Sequence, residues 1–155
     1  MQTCRRLAIV IAGLAPLAFS SPAARAAERT LEFQLVTKTL ESRSLDVPNV
    51  DGQTLSQSKA FGVTVFKDGR IGTKEFVYIT DANKGVGSSS GYSTYTFDDG
   101  TLTAHFTVQG AHGEYKILSG TGAYAGASGT GTLDVVSNTI KNATFFKIKL
   151  QIVTP

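Results

Sequence analysis

The segment Thr101-Leu-Thr-Ala-His-Phe-Thr-Val-Gln alternates apolar and polar residues without a break, and this period of two recurs through most of the chain. Leu102, Ala104, Phe106 and Val108 take one face, and Thr103, His105 and Thr107 the other. Such alternation is the signature of a β-strand with one buried side. Thr30-Leu-Glu-Phe-Gln-Leu-Val-Thr, Lys59-Ala-Phe-Gly-Val-Thr-Val-Phe and Lys74-Glu-Phe-Val-Tyr-Ile-Thr add the β-branched and aromatic residues that pack well on a pleated surface. Asp68-Gly69 and Asp99-Gly100 mark tight reversals, because glycine accepts the positive φ these turns demand. Neighbouring strands are therefore antiparallel, and no stretch shows a convincing helical period.

The pattern predicts eight strands, at about 30–38, 57–67, 70–81, 91–97, 101–109, 114–119, 127–136 and 142–153. Eight evenly spaced antiparallel strands suit an up-and-down β-barrel, since closure removes the open edges that invite aggregation. A β-sandwich is the second arrangement compatible with the pattern. A barrel of this size is either filled by its own side chains or holds one small ligand. The stretch from Glu41 to Ser56, with Pro48, Asp51 and Gly52, reads as the longest loop and as the shaper of one barrel mouth.

Residues 1–26 read as a cleavable export signal: Arg5 and Arg6, an apolar run from Leu7 to Phe19, then Ser20-Ser-Pro-Ala-Ala-Arg-Ala. Small side chains at Ala24 and Ala26 place the cut before Ala27, leaving 27–155 as the barrel domain in the periplasm or outside the cell. A membrane span needs about 20 apolar residues. This run is shorter, and Gly13 and Pro16 interrupt it, so no stable membrane anchor is expected. Cys4 precedes the apolar run, which argues against lipid attachment at the cut. Arg5, Arg6 and Arg25 leave with the leader, so the 15 basic residues fall to 12 and balance the 12 acidic ones. A domain with no net charge and no cationic cluster has no electrostatic footprint for nucleic acid or for an acidic membrane surface. The only cysteine goes too, and stability must come from packing and backbone pairing.

The stretch Ser119-Gly-Thr-Gly-Ala-Tyr-Ala-Gly-Ala-Ser-Gly-Thr-Gly superficially suggests a nucleotide-binding turn. That turn must leave a parallel strand and open a helix, whereas this one lies among antiparallel strands. Gly120, Gly122, Gly126, Gly129 and Gly131 are read as structural, permitting bends and close strand approach.

Tyr95-Thr-Phe-Asp-Asp-Gly-Thr-Leu followed by Tyr115-Lys-Ile-Leu-Ser-Gly-Thr-Gly-Ala-Tyr-Ala-Gly-Ala-Ser-Gly-Thr-Gly-Thr-Leu resembles the shared signature of allene oxide cyclase-like and dirigent-like barrels. The match is close over about 90–134, and the Asp-Gly-Arg-Ile-Gly joint at 68–72 agrees with it. The resemblance implies an eight-stranded barrel assembled into homodimers or homotrimers. It also implies a hydrophobic cavity in which a reactive organic intermediate is steered through cyclisation or coupling, generally without a cofactor. Plant cyclases place an inward Glu and Asn two apart on the first strand, but here that strand reads Phe33-Gln-Leu-Val-Thr-Lys. No inward acid of the dirigent kind is matched either.

Among polar residues, His105 is a candidate acid or base if it faces a cavity, since imidazole titrates near neutrality; otherwise it is a surface or subunit-contact histidine. Glu75 alternates with Lys74 and Phe76, and is either a cavity carboxyl or a solvated one. Tyr78, Tyr92, Tyr95 and Tyr115, with Phe106, are candidates to line a pocket, and core packing explains them equally well. His105 and His112 without a mature cysteine make no ordinary metal site. A calcium site at Asp98 and Asp99 has no support, and Asn142-Ala-Thr144 fits a glycosylation acceptor only by chance. Three functions stay open: a cofactor-free cyclase-like or dirigent-like protein, a noncatalytic carrier of a hydrophobic small molecule, and a structural barrel with a filled core.

Overall fold

The computed structural model describes residues 26–155, so the expected leader lies outside the described residues except for Ala26. Eight strands follow in order: β1 (Ala27–Asp46), β2 (Gln53–Phe66), β3 (Ile71–Asn83), β4 (Val86–Phe97), β5 (Gly100–Gln109), β6 (His112–Gly122), β7 (Ser128–Val136) and β8 (Thr144–Thr154). Each pairs antiparallel with its successor, and β8 returns to β1 from Ala27↔Thr154 to Thr37↔Thr144. That last ladder closes the barrel and rules out the sandwich.

The expected loop from Glu41 to Ser56 is not a loop. β1 continues to Asp46 and pairs with β2 out to Asp46↔Thr54, leaving only a short connection at 47–52. A bulge at Leu40 adds one residue and reverses the side-chain parity. Beyond it both faces of β1 are exposed, so backbone pairing continues where the hydrophobic alternation has stopped. The period of two reports burial, and this part of the strand projects past the core.

The inward positions divide the barrel into two halves. At the end carrying the 67–70 and 98–99 turns, Leu31, Phe33, Phe66, Phe97, Leu102, Tyr124, Leu150 and Ile152 are buried together. Phe33 meets Phe66 at 5.0 Å and Tyr95 at 5.5 Å, and Phe97 meets Tyr124 at 5.7 Å between ring centres. Burying side chains of this size contributes roughly 1.5–3 kcal/mol each. The glycine-rich segment makes this seal. Gly122, at φ +60, begins a pair of turns in which Tyr124 N donates to Thr121 O and Ala127 N to Tyr124 O. Gly120 lets the returning chain pass, because a Cβ there would sit 2.3 Å from the Tyr124 carbonyl oxygen. The Tyr124 ring thus plugs the barrel, with the Arg29 guanidinium 5.3 Å from its centre and ion-paired to Asp99 at 3.3 Å.

Toward the other end the same inward register becomes polar and half-exposed. Thr54, Ser56 and Thr80 are half-buried, as are Phe76, Tyr78, Val108 and Phe146. Ser42 and Ser58 share a 2.9 Å hydrogen bond, and Thr80 and Ser89 one of 2.7 Å, forming a hydroxyl collar. If Tyr124 is the plug, Tyr124→Ala should cost about 3–5 kcal/mol, the range for deleting a large buried ring. Chemical denaturation measures this, and a loss under about 1 kcal/mol would contradict the sealing role.

Candidate functional site

β3 sets the site through parity. Along Gly72-Thr-Lys-Glu-Phe-Val-Tyr, the even-numbered residues point inward and Glu75 and Val77 face out. A lysine therefore enters the barrel on the same face as Phe76 and Tyr78. Lys74 is only 3 % exposed, and its Nζ donates to Tyr115 Oη at 2.8 Å. Tyr95 Oη donates to the same oxygen at 2.9 Å. Having accepted two hydrogen bonds, the Tyr115 oxygen leaves its own proton uncommitted. The ring centres of Phe76, Phe106, Tyr115 and Tyr95 lie 4.4, 4.9, 5.0 and 5.2 Å from Nζ. Among the described residues no carboxylate lies within 4 Å of the amine.

The electrostatics follow from that box. Burial penalises the charged form and pulls the Lys74 amine down to about 7 from its usual 10.5. The negative faces of the surrounding rings attract the ammonium and oppose that pull. Burial pushes the Tyr115 phenol up, and likewise Tyr95, where proximity to Tyr115 adds to the effect. Near neutral pH the lysine can therefore give or take a proton while both phenols stay protonated and able to donate.

Of the five candidate lining residues, four lie on the inner face and three of them meet at this point. Tyr95, Tyr115 and Phe106 are buried around Lys74, and Tyr78 continues toward the hydroxyl collar, 6.4 Å from Phe106 and within 3.3 Å of Thr39 Oγ1. His105 and Glu75 do not join them. His105 lies on the outer wall, bonded to Ser90 Oγ at 3.0 Å and edge-on to Tyr92 at 5.0 Å. Glu75 is exposed on the same outer surface, opposite Phe61 and Thr94. Their odd numbers, in ladders where even residues point in, keep both from reaching the interior. Tyr92 is exposed because β4 has the opposite parity, its odd-numbered residues pointing in. His112 sits at the rim, against Asp134 at 2.6 Å. Among the described residues no three His, Cys, Asp or Glu side chains are grouped to hold a metal.

Lys74 is the residue that motif reading passes over. Its signal is parity alone: a lysine interrupts an inward row that otherwise carries Gly72, Phe76 and Tyr78. The glycines of the 120–131 stretch lie at the opposite, sealed end and along β7, where they shape the wall and do not touch the amine.

No family model matches the chain, and no curated protein matches it. Solved structures do. A pterocarpan synthase dirigent protein superposes with a TM-score of 0.61 at 14% identity, covering 90% of this chain and 96% of that one. An exo-specific intermolecular Diels-Alderase gives 0.55 at 11% identity, covering 83% and 99%. A pyocyanin demethylase gives 0.53 at 18% identity, covering 79% and 99%. The chain thus has the dirigent-like barrel fold that its 90–134 segment resembles.

The amine's environment sets a pH dependence. Below about 7 the lysine is charged in folded and unfolded chains alike, so the full burial penalty is present. As pH rises the folded protein sheds this proton first, while the unfolded chain holds it to near 10.5, so stability increases with pH. Above about 10 the unfolded chain ionises tyrosines that the fold keeps protonated, and stability falls again. Between pH 7 and about 9.5 the lysine should add roughly 3 kcal/mol. Urea unfolding of the protein beside Lys74→Met measures the difference; parallel pH profiles for the two would contradict a neutral buried amine.

Proposed function

We propose that this protein holds a hydrophobic organic intermediate in the open half of its barrel and steers its cyclisation or coupling without a cofactor. The observation that carries the reading is the Lys74–Tyr115–Tyr95 chain, set among aromatic faces where the sealed core ends and the half-exposed half begins. Such a box supplies what stereocontrol needs: flat apolar walls to fix one conformer, exclusion of water, and a proton donor and acceptor near neutral pH. Lys74 takes the acid–base role that the sequence offered to His105 and Glu75. Tyr115 and Tyr95 hold its amine in place.

The comparisons support the reading by analogy of fold, since neighbours named as a pterocarpan synthase dirigent protein, a Diels-Alderase and a demethylase use the same barrel. We place the mature protein, residues 27–155, in the periplasm or outside the cell, free of a membrane anchor and of nucleic acid. We also propose that it works as a homodimer or homotrimer. Exposed Val77, Ile79 and Tyr92 on adjoining outer strands support such a contact.

Thr80 faces inward on the collar and makes the test direct. Thr80→Trp puts an indole in the mouth while leaving the Lys74 box untouched. Native mass spectrometry of protein taken from its own cells should find an organic mass on the natural protein, lost at least about tenfold in Thr80→Trp when far-UV dichroism is unchanged. Equal occupancy of the two proteins, or none in either, would contradict a guest in this half.

A further inference from the structure

Ser93 follows the inward row of β4, two residues from Tyr95 toward the open end. It is 2 % exposed, and its Oγ has no hydrogen-bond partner. Leaving a buried hydroxyl unpaired costs about 1–3 kcal/mol. Its neighbours are small: Gly91 is the next inward residue on its own strand, and Ala104 stands opposite on β5. On β3 the register sets Lys74 against Tyr95 and Phe76 against Ser93, so Lys74 and Ser93 are diagonal neighbours on one face. An unpaired hydroxyl, an ammonium without a carboxylate and a phenol with an uncommitted proton therefore occupy one patch of wall.

We propose that the guest carries one ionised oxygen on a conjugated ring or chain, a phenolate or an enolate, and that this oxygen seats between Lys74 Nζ and Ser93 Oγ. This rests on the open half being the guest site. An anion supplies the counter-charge that the lysine lacks and the acceptor that Ser93 lacks, and Tyr115 can add a third hydrogen bond. Three donors on one patch of wall suit a single oxygen. A carboxylate would bring two, and the second would face rings. Phe76, Tyr78 and Phe106 present those rings, with Phe76 and Tyr78 stacked at 5.6 Å, and the apolar body of the guest packs against them while its charged oxygen stays at the donors. The titratable groups facing the amine are Tyr95 and Tyr115, with Tyr78 next along β3, and none is a carboxyl. Binding therefore draws a proton onto Lys74.

The test compares 4-nitrophenol, ionised at mildly alkaline pH, with its uncharged methyl ether 4-nitroanisole, by calorimetric titration of the purified protein. The natural protein should bind the phenolate about tenfold or more tighter than the ether, as a charge-assisted hydrogen bond requires. Lys74→Met should erase the preference while keeping the ether, and Ser93→Ala, which leaves the lysine box intact, should lower the phenolate affinity about tenfold. Equal binding of the two probes by the natural protein, or a preference surviving in Lys74→Met, overturns the oxyanion site and leaves the guest-binding reading standing. Failure of both probes to bind overturns both.

Discussion

A primary amine enclosed in a ring of strands, with aromatic faces around it and no carboxylate within reach, is the constraint from which the rest of this molecule follows. Hydrophobic packing alone would fill the position with leucine, at no electrostatic cost. Lys74 instead stands where Phe76, Tyr95, Phe106 and Tyr115 converge, and it is tolerated because Tyr115 accepts its hydrogen bond and the ring faces offset part of the lost hydration. Tyr95 fixes Tyr115 in turn. The unit is an amine held rigidly by residues of three different strands.

The barrel makes such an arrangement affordable by concentrating its stability at the opposite end. Phe33, Phe66, Phe97 and Tyr124 form a continuous aromatic plug, and the glycine-rich return between β6 and β7 exists to insert the last of these. The open half then needs little packing of its own. It carries hydroxyls paired with one another and half-exposed rings. One closed sheet thus supports a rigid base and a permissive mouth, because backbone pairing runs unbroken through both.

The fold was legible because period-two alternation and Asp-Gly turns are local signals, and eight of them in order leave few closed arrangements. Closure itself rested on β1 meeting β8, a long-range pairing that no local pattern contains. Strand ends were legible only where one face is buried: Glu41 to Asp46 pairs fully with β2 yet has water on both sides, so it looked like a loop. Tyr95, Tyr115 and Phe106 were readable as interior residues from the same alternation. His105 and Glu75 have side chains suited to acid–base chemistry, but parity turns them outward. Lys74 shows the converse: parity turns it inward, and lysine is so commonly solvated that its side chain is easily assigned to the surface.

The proposed function stands or falls with the state of Lys74. A side-chain NMR titration of the Lys74 ε-amine, assigned by difference from Lys74→Met, addresses this directly. A midpoint near 7 is the expected result. A midpoint near the ordinary 10.5 would show an amine that reaches water, and the account of a dry aromatic box at the base of the open half would fail.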